Sequence, residues 1–191
     1  IGAQIGLKNV LTTDIGGTSF DVGVVADGKP IMRSEIALAG ADIRVHSIDV
    51  DSIGAGGGSI AQVHFGELRV GPQSAGADPG PIAYRGGGTE PTITDANVVL
   101  GRLDPDNFLG GTMKLDAEGA RRGIEQKIAK PLGMSLTAAA EGVLSVADNT
   151  MFGAVRVVSV QQYQRYPLSN HLHWLSQGQP GGHQKWSFLD N

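Results

Sequence analysis

Residues 10–25 read VLTTDIGGTSFDVGVV, and this stretch decides the fold. Apolar residues dominate Val10–Asp14 and Phe20–Val25, a pattern typical of β-strands. The turn Ile15-Gly16-Gly17-Thr18 lies between the two segments. The sequence therefore predicts two strands joined by a tight glycine turn.

The pattern continues outward from this hairpin. Asp27-Gly28 is a hairpin signal and predicts a third strand over about Ile31–Ala37. A further hairpin is expected to join Ala61–Phe65 to Glu67–Val70. The first half of the chain is therefore predicted to be built of strands and hairpins.

Helical patterns follow the strands. A helix is expected from near Asp95 to about Leu100, with Thr94 or Asp95 as its N-cap. Residues 116–130 form an amphipathic pattern with Asp116 as its cap, and Pro131 follows its end. Strands followed by helices predict an α/β or α+β fold with helices packed on a sheet.

The strongest helical pattern covers about Leu136 to Val160. Apolar residues recur there at spacings of three and four, which is the period of one helix face. We expect this face to lie in the core, and its small residues permit close packing. Its members are Leu136, Ala140, Val143, Ala147, Met151, Ala154 and Val158.

Composition excludes several classes of protein. The 191 residues include 29 Gly and 9 Pro but no Cys, with a formal net charge of −4. The glycines have no collagen period, and a disulfide-stapled module is excluded. The chain has no block of basic residues, so a nucleic-acid-binding surface is not expected. No apolar run of membrane-spanning length is apparent, so we expect a soluble, cytoplasmic protein without a membrane partner.

The two ends of the chain differ from its middle. The chain begins at Ile1 without Met, so we expect it to be part of a longer protein. From Gln161 to Asn191 the sequence is rich in Gln, His and Trp and has no helical or strand period. We therefore predict a boundary near 160, with residues 1–160 as one unit and 161–191 as an atypical tail, disordered or derived from a frame shift.

The first glycine cluster, Asp14-Ile15-Gly16-Gly17-Thr18-Ser19-Phe20-Asp21, has the composition of a phosphate loop. Two glycines let the backbone point N–H groups at an anion, and Thr18 and Ser19 add hydroxyl donors. Asp14 has the chemistry to hold a divalent cation through water. The alternative is an ordinary hairpin turn that starts with an aspartate.

The second cluster contains four glycines in five residues, Gly54 and Gly56–Gly58, followed by Ser59. It lacks the lysine of a Walker loop and the spacing of a dinucleotide fold. Asp49 and Asp51, just upstream, point the same way along an extended segment. They are candidates for metal binding or acid–base catalysis, and solvated carboxylates or a helix cap are the alternative.

The third cluster, residues 71–97, mixes Gly and Pro and predicts a long shaped loop rather than a flexible linker. Of the histidines before the tail, His46 and His64 are isolated. We expect them to be surface or strand residues rather than ligands, and no nucleophilic triad is apparent.

These motifs together resemble the hydantoinase A/oxoprolinase family over about Val10 to Val160. The resemblance rests on DIGGTSFDVGVV, IGAGGGSIAQV, LRVGPQSAGADPGPIAYRGGGTEPTITDANVVLGRL and FLGGTMKLD, in this order. The family includes ATP-dependent N-methylhydantoinases, 5-oxoprolinases and subunits of acetone and acetophenone carboxylases. The resemblance implies one ribonuclease-H-like half of an actin-like ATPase/sugar-kinase fold, with ATP in the cleft between two halves.

The resemblance also implies roles for particular residues. Asp14 would order Mg²⁺ (or Mn²⁺), while Gly16, Gly17, Thr18 and Ser19 would hold phosphate. Gly56, Gly57, Gly58 and Ser59 would line the cleft floor. Asp49 and Asp51 remain candidates for metal or acid–base roles. A small cyclic amide or ketone is the implied substrate, and a hydantoinase B-like subunit or domain is the implied partner.

The chain departs from the family pattern at three places. The N-terminal phosphate loop is absent, and the tail replaces the expected strand and adenosine-binding turn. Asp51 stands where many members carry histidine or another residue.

Four functions therefore stay open. The first is a fragment of an ATP-dependent hydrolase that opens a hydantoin or 5-oxoproline type ring. The others are a carboxylase subunit of the same family, a sugar-kinase-like phosphotransferase, and a half-domain that is inert by itself.

Overall fold

The computed structural model describes residues 2–34, 36–38 and 41–163. The predicted boundary near 160 falls in the last turn of a helix that runs to Tyr163. The rest of the predicted tail lies outside the described residues, so the division of the chain stays a prediction. The described part has a mixed α/β fold in which all strands precede the α-helices.

Ten strands, all paired antiparallel, form one four-stranded sheet and three two-stranded ones within the described residues. The predicted strands Val10–Asp14 and Phe20–Val25 and the hairpin after residue 61 are confirmed with slightly longer bounds. The strands are β1 Val10–Ile15, β2 Phe20–Ala26, β3 Lys29–Pro30, β4 Met32–Arg33, β5 Ile36–Leu38, β6 Ala41–Ile43, β7 Ser47–Ile48, β8 Val50–Ile53, β9 Ser59–His64 and β10 Glu67–Ser74.

Strand β2 is the centre of the four-stranded sheet. It pairs with β1 on one side, and with β8 and β3 on the other. Its alternate residues are buried, as expected of a central strand with one face packed against a helix; they are Phe20, Val22, Val24 and Ala26. The β2–β3 turn has φ of 49° at Asp27 and 76° at Gly28, which confirms the Asp-Gly hairpin signal.

The single third strand predicted over Ile31–Ala37 is wrong. The Ile31 N–H still donates to Val24 O at 3.0 Å, but β4 then pairs with β7 and β5 with β6. The reason is that β8 occupies the edge of β2 from Phe20 to Gly23. The chain after Ile31 therefore has to leave the sheet.

The α-helices follow the β9–β10 hairpin, and the first of them begins at a different N-cap residue from the one predicted. They are α1 Ile93–Val99, α2 Ala117–Ile124, a π-helical turn Glu125–Ala129, α3 Lys130–Leu132 and α4 Leu136–Tyr163. The N-cap of α1 is Thr92, not Thr94 or Asp95. Thr92 forms a reciprocal capping box with Asp95, so the helix begins two residues earlier than the pattern suggested.

Asp116 caps α2 as predicted, by accepting a hydrogen bond from the Gly119 N–H at 2.9 Å. The expectation that Pro131 follows the end of this helix is wrong, because Pro131 lies inside α3 and Gly133 ends it. The π-helical turn just before Pro131 supplies the reason. A wider turn accommodates the proline ring and its missing N–H without ending the helix.

Helix α4 forms the centre of the core, as its stripe predicts. It contacts α1, β2 and β10, and the stripe residues are buried in or packed against the main cluster. By length and composition Leu136–Val160 would also be able to cross a membrane, which corrects the expectation that no such segment exists. A helix that packs in the core of a soluble protein has the same composition.

Candidate functional site

The β1–β2 hairpin presents the first glycine cluster at its tip. The register pairs Ile15 with Phe20 and Asp14 with Asp21, which leaves Gly16–Ser19 as a four-residue turn. The Gly16 N–H donates to Ser19 O at 2.9 Å and closes this turn. We call Gly16–Ser19 the glycine turn.

The glycine turn leaves its remaining backbone donors unused. Among the residues that the structure describes, no acceptor is hydrogen-bonded to the N–H groups of Gly17, Thr18 and Ser19. Gly17 and Thr18 are exposed, and nothing lies within 4 Å of the position a Cβ of Gly17 would occupy. Successive free N–H groups beside open space are the geometry that binds an anion.

The second glycine cluster packs directly on the glycine turn. A Cβ at Gly56 would lie 2.7 Å from both Gly16 O and Thr18 N, and one at Gly58 would lie 2.9 Å from Gly17 O. These distances are shorter than real Cβ contacts. Glycine is therefore required at both positions because two backbones meet there.

The N–H groups of Gly56–Ser59 are all used inside the protein. Those of Gly57 and Gly58 donate to Gly16 O and Gly17 O at 2.9 and 2.7 Å. The Gly56 N–H donates to Ser59 Oγ at 2.9 Å, and the Ser59 N–H donates to Gly56 O at 2.9 Å. Gly56–Ser59 therefore supports the glycine turn from behind, and we call this segment the brace. The expected direct contact of these residues with a cofactor stays a prediction.

Helix α1 holds the brace from the other side. Gly57 O accepts hydrogen bonds from both the Thr94 N–H at 2.8 Å and the Thr94 hydroxyl at 2.9 Å. The Ala75 N–H donates to Gly58 O at 2.8 Å. The glycine turn is therefore fixed through the brace to α1 and to the end of β10.

Asp14 and Asp21 face each other beside the glycine turn. Residues directly opposite in an antiparallel pair project to the same face, so both carboxylates lie on one side of the sheet. The Ser19 hydroxyl donates to Asp21 Oδ2 at 3.4 Å. Asp21 ends the first glycine cluster, but sequence reasoning assigned it no role. A four-residue turn between Ile15 and Phe20 could have indicated that Asp21 pairs with Asp14.

Asp49 and Asp51 lie elsewhere and share a cation. The Arg33 guanidinium contacts Asp49 Oδ1 through Nε and Asp51 Oδ1 through Nη2, the latter at 2.6 Å. The hydrogen bond to Asp51 raises the pKa of Arg33, partial burial opposes this, and the charge of Asp49 adds to the increase. The single positive charge of Arg33 is therefore shared by two carboxylates.

The register separates these two acidic pairs. Asp51 lies opposite Val22 on β2, whereas Asp14 lies opposite Asp21, the next residue along. Neighbouring strand residues project to opposite faces. The structure therefore places Asp14 and Asp51 on opposite faces of the sheet and does not bring Asp14, Asp49 and Asp51 into one site.

The donors present fit Mg²⁺ only in a limited way. Within the described ranges there is no group of three or more His, Asp or Glu residues that would hold a metal. Mg²⁺ keeps several waters and often uses one or two carboxylates plus phosphate oxygens. Asp14, with Asp21 beside it and an anion on the glycine turn, meets that requirement.

The third cluster is organised by a buried carboxylate. Asp95 is fully buried and accepts hydrogen bonds from the N–H groups of Ile82, Ala83 and Thr92 and from the Thr92 hydroxyl, at 2.8–3.3 Å. Burial raises the pKa of Asp95, and these hydrogen bonds oppose the increase. Asp95 therefore fastens the shaped loop to α1, beyond the capping role expected of it.

The two isolated histidines take no part in this arrangement. His46 is exposed. His64 is exposed at the tip of the β9–β10 hairpin, with its ring centroid 4.3 Å from that of Phe65. The expectation that they are surface or strand residues is confirmed.

Comparison with known proteins finds a family model described as hydantoinase/oxoprolinase that matches residues 1–178. The match runs past residue 160, into the segment predicted to be an atypical tail. The chain is 43% identical over 163 residues to caprolactamase subunit alpha of Pseudomonas jessenii, covering 85% of this chain and 23% of that protein.

Other relatives carry different activities in their names. The gamma subunit of acetophenone carboxylase from Aromatoleum aromaticum is 41% identical over 162 residues, covering 80% of this chain and 21% of that subunit. The 5-oxoprolinase of Saccharomyces cerevisiae is 38% identical over 188 residues, covering 93% of this chain and 14% of the enzyme. This chain therefore spans less than a quarter of the length of these relatives.

Two solved structures resemble the fold. The ATP-dependent caprolactamase of Pseudomonas jessenii has a TM-score of 0.75 at 42% sequence identity. The match covers 85% of this chain and 24% of the caprolactamase chain. Nucleotide-free acetone carboxylase has a TM-score of 0.75 at 36% sequence identity, and the match covers 83% of this chain and 23% of the carboxylase chain.

Proposed function

Because the chain belongs to the hydantoinase/oxoprolinase family, we propose that it is one lobe of an ATP-dependent enzyme that opens a cyclic amide. The relatives include amide hydrolases and carboxylase subunits, and two of the similar structures are of ATP-dependent enzymes. The observation that carries the proposal is the glycine turn, with three adjacent N–H groups and open space over Gly17.

In this proposal the glycine turn holds the phosphates of ATP. The N–H groups of Gly17, Thr18 and Ser19 and the Thr18 hydroxyl donate to phosphate oxygens. Gly56–Ser59 keeps these donors aligned, because its own hydrogen bonds fix the carbonyls of Gly16 and Gly17. When bound, ATP supplies the phosphoryl group that activates the amide oxygen of the substrate.

Asp14 has the proposed role of orienting Mg²⁺ or a water bound to it, with Asp21 as a second acceptor on the same sheet face. Positioning and charge neutralisation are the main contributions of a protein to phosphoryl transfer. Asp49 and Asp51 remain acid–base or metal candidates of second rank, since both carboxylates already contact Arg33.

The architecture that goes with this proposal is one ribonuclease-H-like half of an actin-like ATPase fold. The glycine turn would then form one wall of a cleft, and the rest of the parent protein would supply the other wall. The names of several relatives denote subunits, which supports a partner subunit. In this proposal the partner is of the hydantoinase B kind and the complex is cytoplasmic.

The test is Gly17→Val in the full-length parent protein. The branched side chain has room in the folded turn but occupies the proposed phosphate position. We expect ATPase activity to fall by about a hundredfold or more, the effect of losing well-placed electrostatic contacts. Gly153→Val is the control, because Gly153 is also exposed and a Cβ built on it would meet nothing within 4 Å beyond its own helix. Undiminished ATPase activity in Gly17→Val would refute the assignment.

A carboxylase subunit is the second candidate, because identity to the acetophenone carboxylase subunit is 41%, close to the 43% of the lactam hydrolase subunit. The parent protein with its partner decides between them. Lactam-dependent ATP hydrolysis supports the first function, and ketone- and bicarbonate-dependent ATP hydrolysis supports the second.

A further inference from the structure

A wide, solvent-open cavity lies apart from the glycine turn, between the shaped loop and helix α2. It has a volume of about 460 Å³. Its walls are the segment from Ile82 to Thr89 on one side and residues 116–123 on the other. None of these residues is part of the site proposed above.

The cavity floor depends on two glycines of α2. A Cβ at Gly123 would lie 2.3 Å from Ile82 Cδ1, and one at Gly119 would lie 3.2 Å from Ile82 Cγ2. Because both glycines are bare, Ile82 packs directly against the helix. This contact brings the start of the shaped loop alongside the first turns of α2.

Close backbone contacts at two glycines also fix the loop of residues 85–89 beside the cavity. A Cβ at Gly88 would lie 2.0 Å from Gly80 O, and one at Gly86 would lie 2.4 Å from Pro79 O. Arg85 has a left-handed φ of 60° at the base of this loop, and nothing lies within 4 Å of a Cβ built on Gly87. The loop is therefore shaped by close backbone contacts and leaves space over Gly87.

Two arginines face this space without acidic partners. In the part of the chain that the structure describes, Arg85 and Arg122 form no ion pair, whereas Arg33, Arg69 and Arg121 each contact a carboxylate. The lining also contains Asp116, whose Oδ1 accepts from the Gly119 N–H. The lining therefore has two positive charges against one negative charge.

We propose that this cavity binds the oxyanion group, a carboxylate or a phosphate, of a small molecule. Arg85 and Arg122 supply guanidinium forks that match such a group. The N–H groups of Gly87 and Gly88 have no acceptor among the described residues and add backbone donors. The site is distinct from the glycine turn and does not depend on ATP binding there.

The experiment is titration of this chain, labelled with ¹⁵N, with inorganic phosphate at constant ionic strength, followed by amide and arginine side-chain NMR signals. We expect saturable shifts at Gly87, Gly88 and the Nε–H groups of Arg85 and Arg122. Arg122→Gln and Arg85→Gln should each weaken binding by about tenfold, the effect of losing one charge-assisted hydrogen bond.

Arg121→Gln is the matched control. Arg121 is the neighbouring arginine on α2, it contacts Glu118, and it does not line the cavity. Its replacement should leave phosphate binding unchanged. Absence of saturable shifts, or equal weakening in all three variants, would overturn the proposal.

Two further titrations define the ligand and separate the two sites. Acetate in place of phosphate shows whether a carboxylate suffices. Phosphate added to Gly17→Val should still shift the signals of Gly87 and Gly88, and their loss in that variant would contradict an independent site.

Discussion

Gly56 sets how closely the brace approaches the glycine turn. Its missing side chain lets Gly16 O and Thr18 N come within 2.7 Å of the position a Cβ would take. Three backbone atoms surround that position, so no flexible side chain can move aside. The geometry of the glycine turn therefore depends on a residue in the second glycine cluster.

We expect Gly56→Ala to destabilise the chain by about 1–3 kcal/mol, the cost of forcing atoms into a packed interior. Urea denaturation measures this change. Gly17→Ala is the control, because a Cβ there meets nothing within 4 Å and should change stability little. Equal stability of Gly56→Ala and Gly17→Ala would show that the brace yields easily.

Asp95 is the second residue with a large expected effect. We expect Asp95→Asn to lower the free energy of unfolding by about 1–3 kcal/mol, because an amide cannot accept all four of the hydrogen bonds that the carboxylate accepts. Asp104→Asn is the control, since Asp104 is exposed and accepts one backbone hydrogen bond. Equal losses in the two variants would contradict this role.

The raised pKa of Asp95 also predicts a pH dependence. The folded state holds this proton more tightly than the unfolded state, where the ordinary value is 3.8. The contribution of Asp95 to stability therefore falls as the pH rises from 3.8 through the raised folded-state pKa, and is constant above it. The stability difference between wild type and Asp95→Asn should shrink with rising pH across that window, as measured by urea denaturation.

At the scale of elements, the π-helical turn and α4 supply much of the core. Ile128 in the π-helical turn is fully buried and belongs to the same cluster as Val143 and Ala147 of α4. The turn lets the chain continue through Pro131 while keeping Ile128 in the core. A straight α-helix of this sequence would have ended before the proline.

We expect Ile128→Ala to cost about 2–5 kcal/mol, because it removes buried methyl groups and leaves a cavity. The midpoint of urea denaturation measures the loss. Ile48→Ala is the control, since Ile48 is 55% exposed on β7 and its replacement should cost far less. A small effect at Ile128 would show that the π-helical turn collapses around the cavity.

At the scale of the molecule, the described residues carry the glycine turn proposed to hold phosphate, and the chain covers less than a quarter of the length of its relatives. A ligand held on one wall gains only part of the contacts that a closed cleft provides. The proposed function therefore places catalysis in the parent protein rather than in this chain alone.

We expect the isolated chain to bind ATP with Mg²⁺ weakly, with a Kd near or above about 1 mM, and to show no ATP hydrolysis. Isothermal titration calorimetry measures the binding, and release of inorganic phosphate measures the hydrolysis. Micromolar binding would contradict the single-wall proposal and indicate that this lobe holds ATP by itself.

The sequence by itself determined the strands β1 and β2, the second hairpin, the buried face of α4 and the family. These features depend on local periodicity and on glycine motifs, and both can be read along the chain. The glycine turn was also identifiable, because a strand, an aspartate, two glycines and two hydroxyl residues are contiguous.

The tertiary structure alone decided which residues share a site. Register placed Asp21 beside Asp14 and put Asp51 on the opposite face, and Arg33 came to lie between Asp49 and Asp51. It also showed that Gly56–Gly58 braces the glycine turn. The physical reason is that strand pairing and backbone packing join residues far apart in sequence, and local pattern carries no information on such contacts.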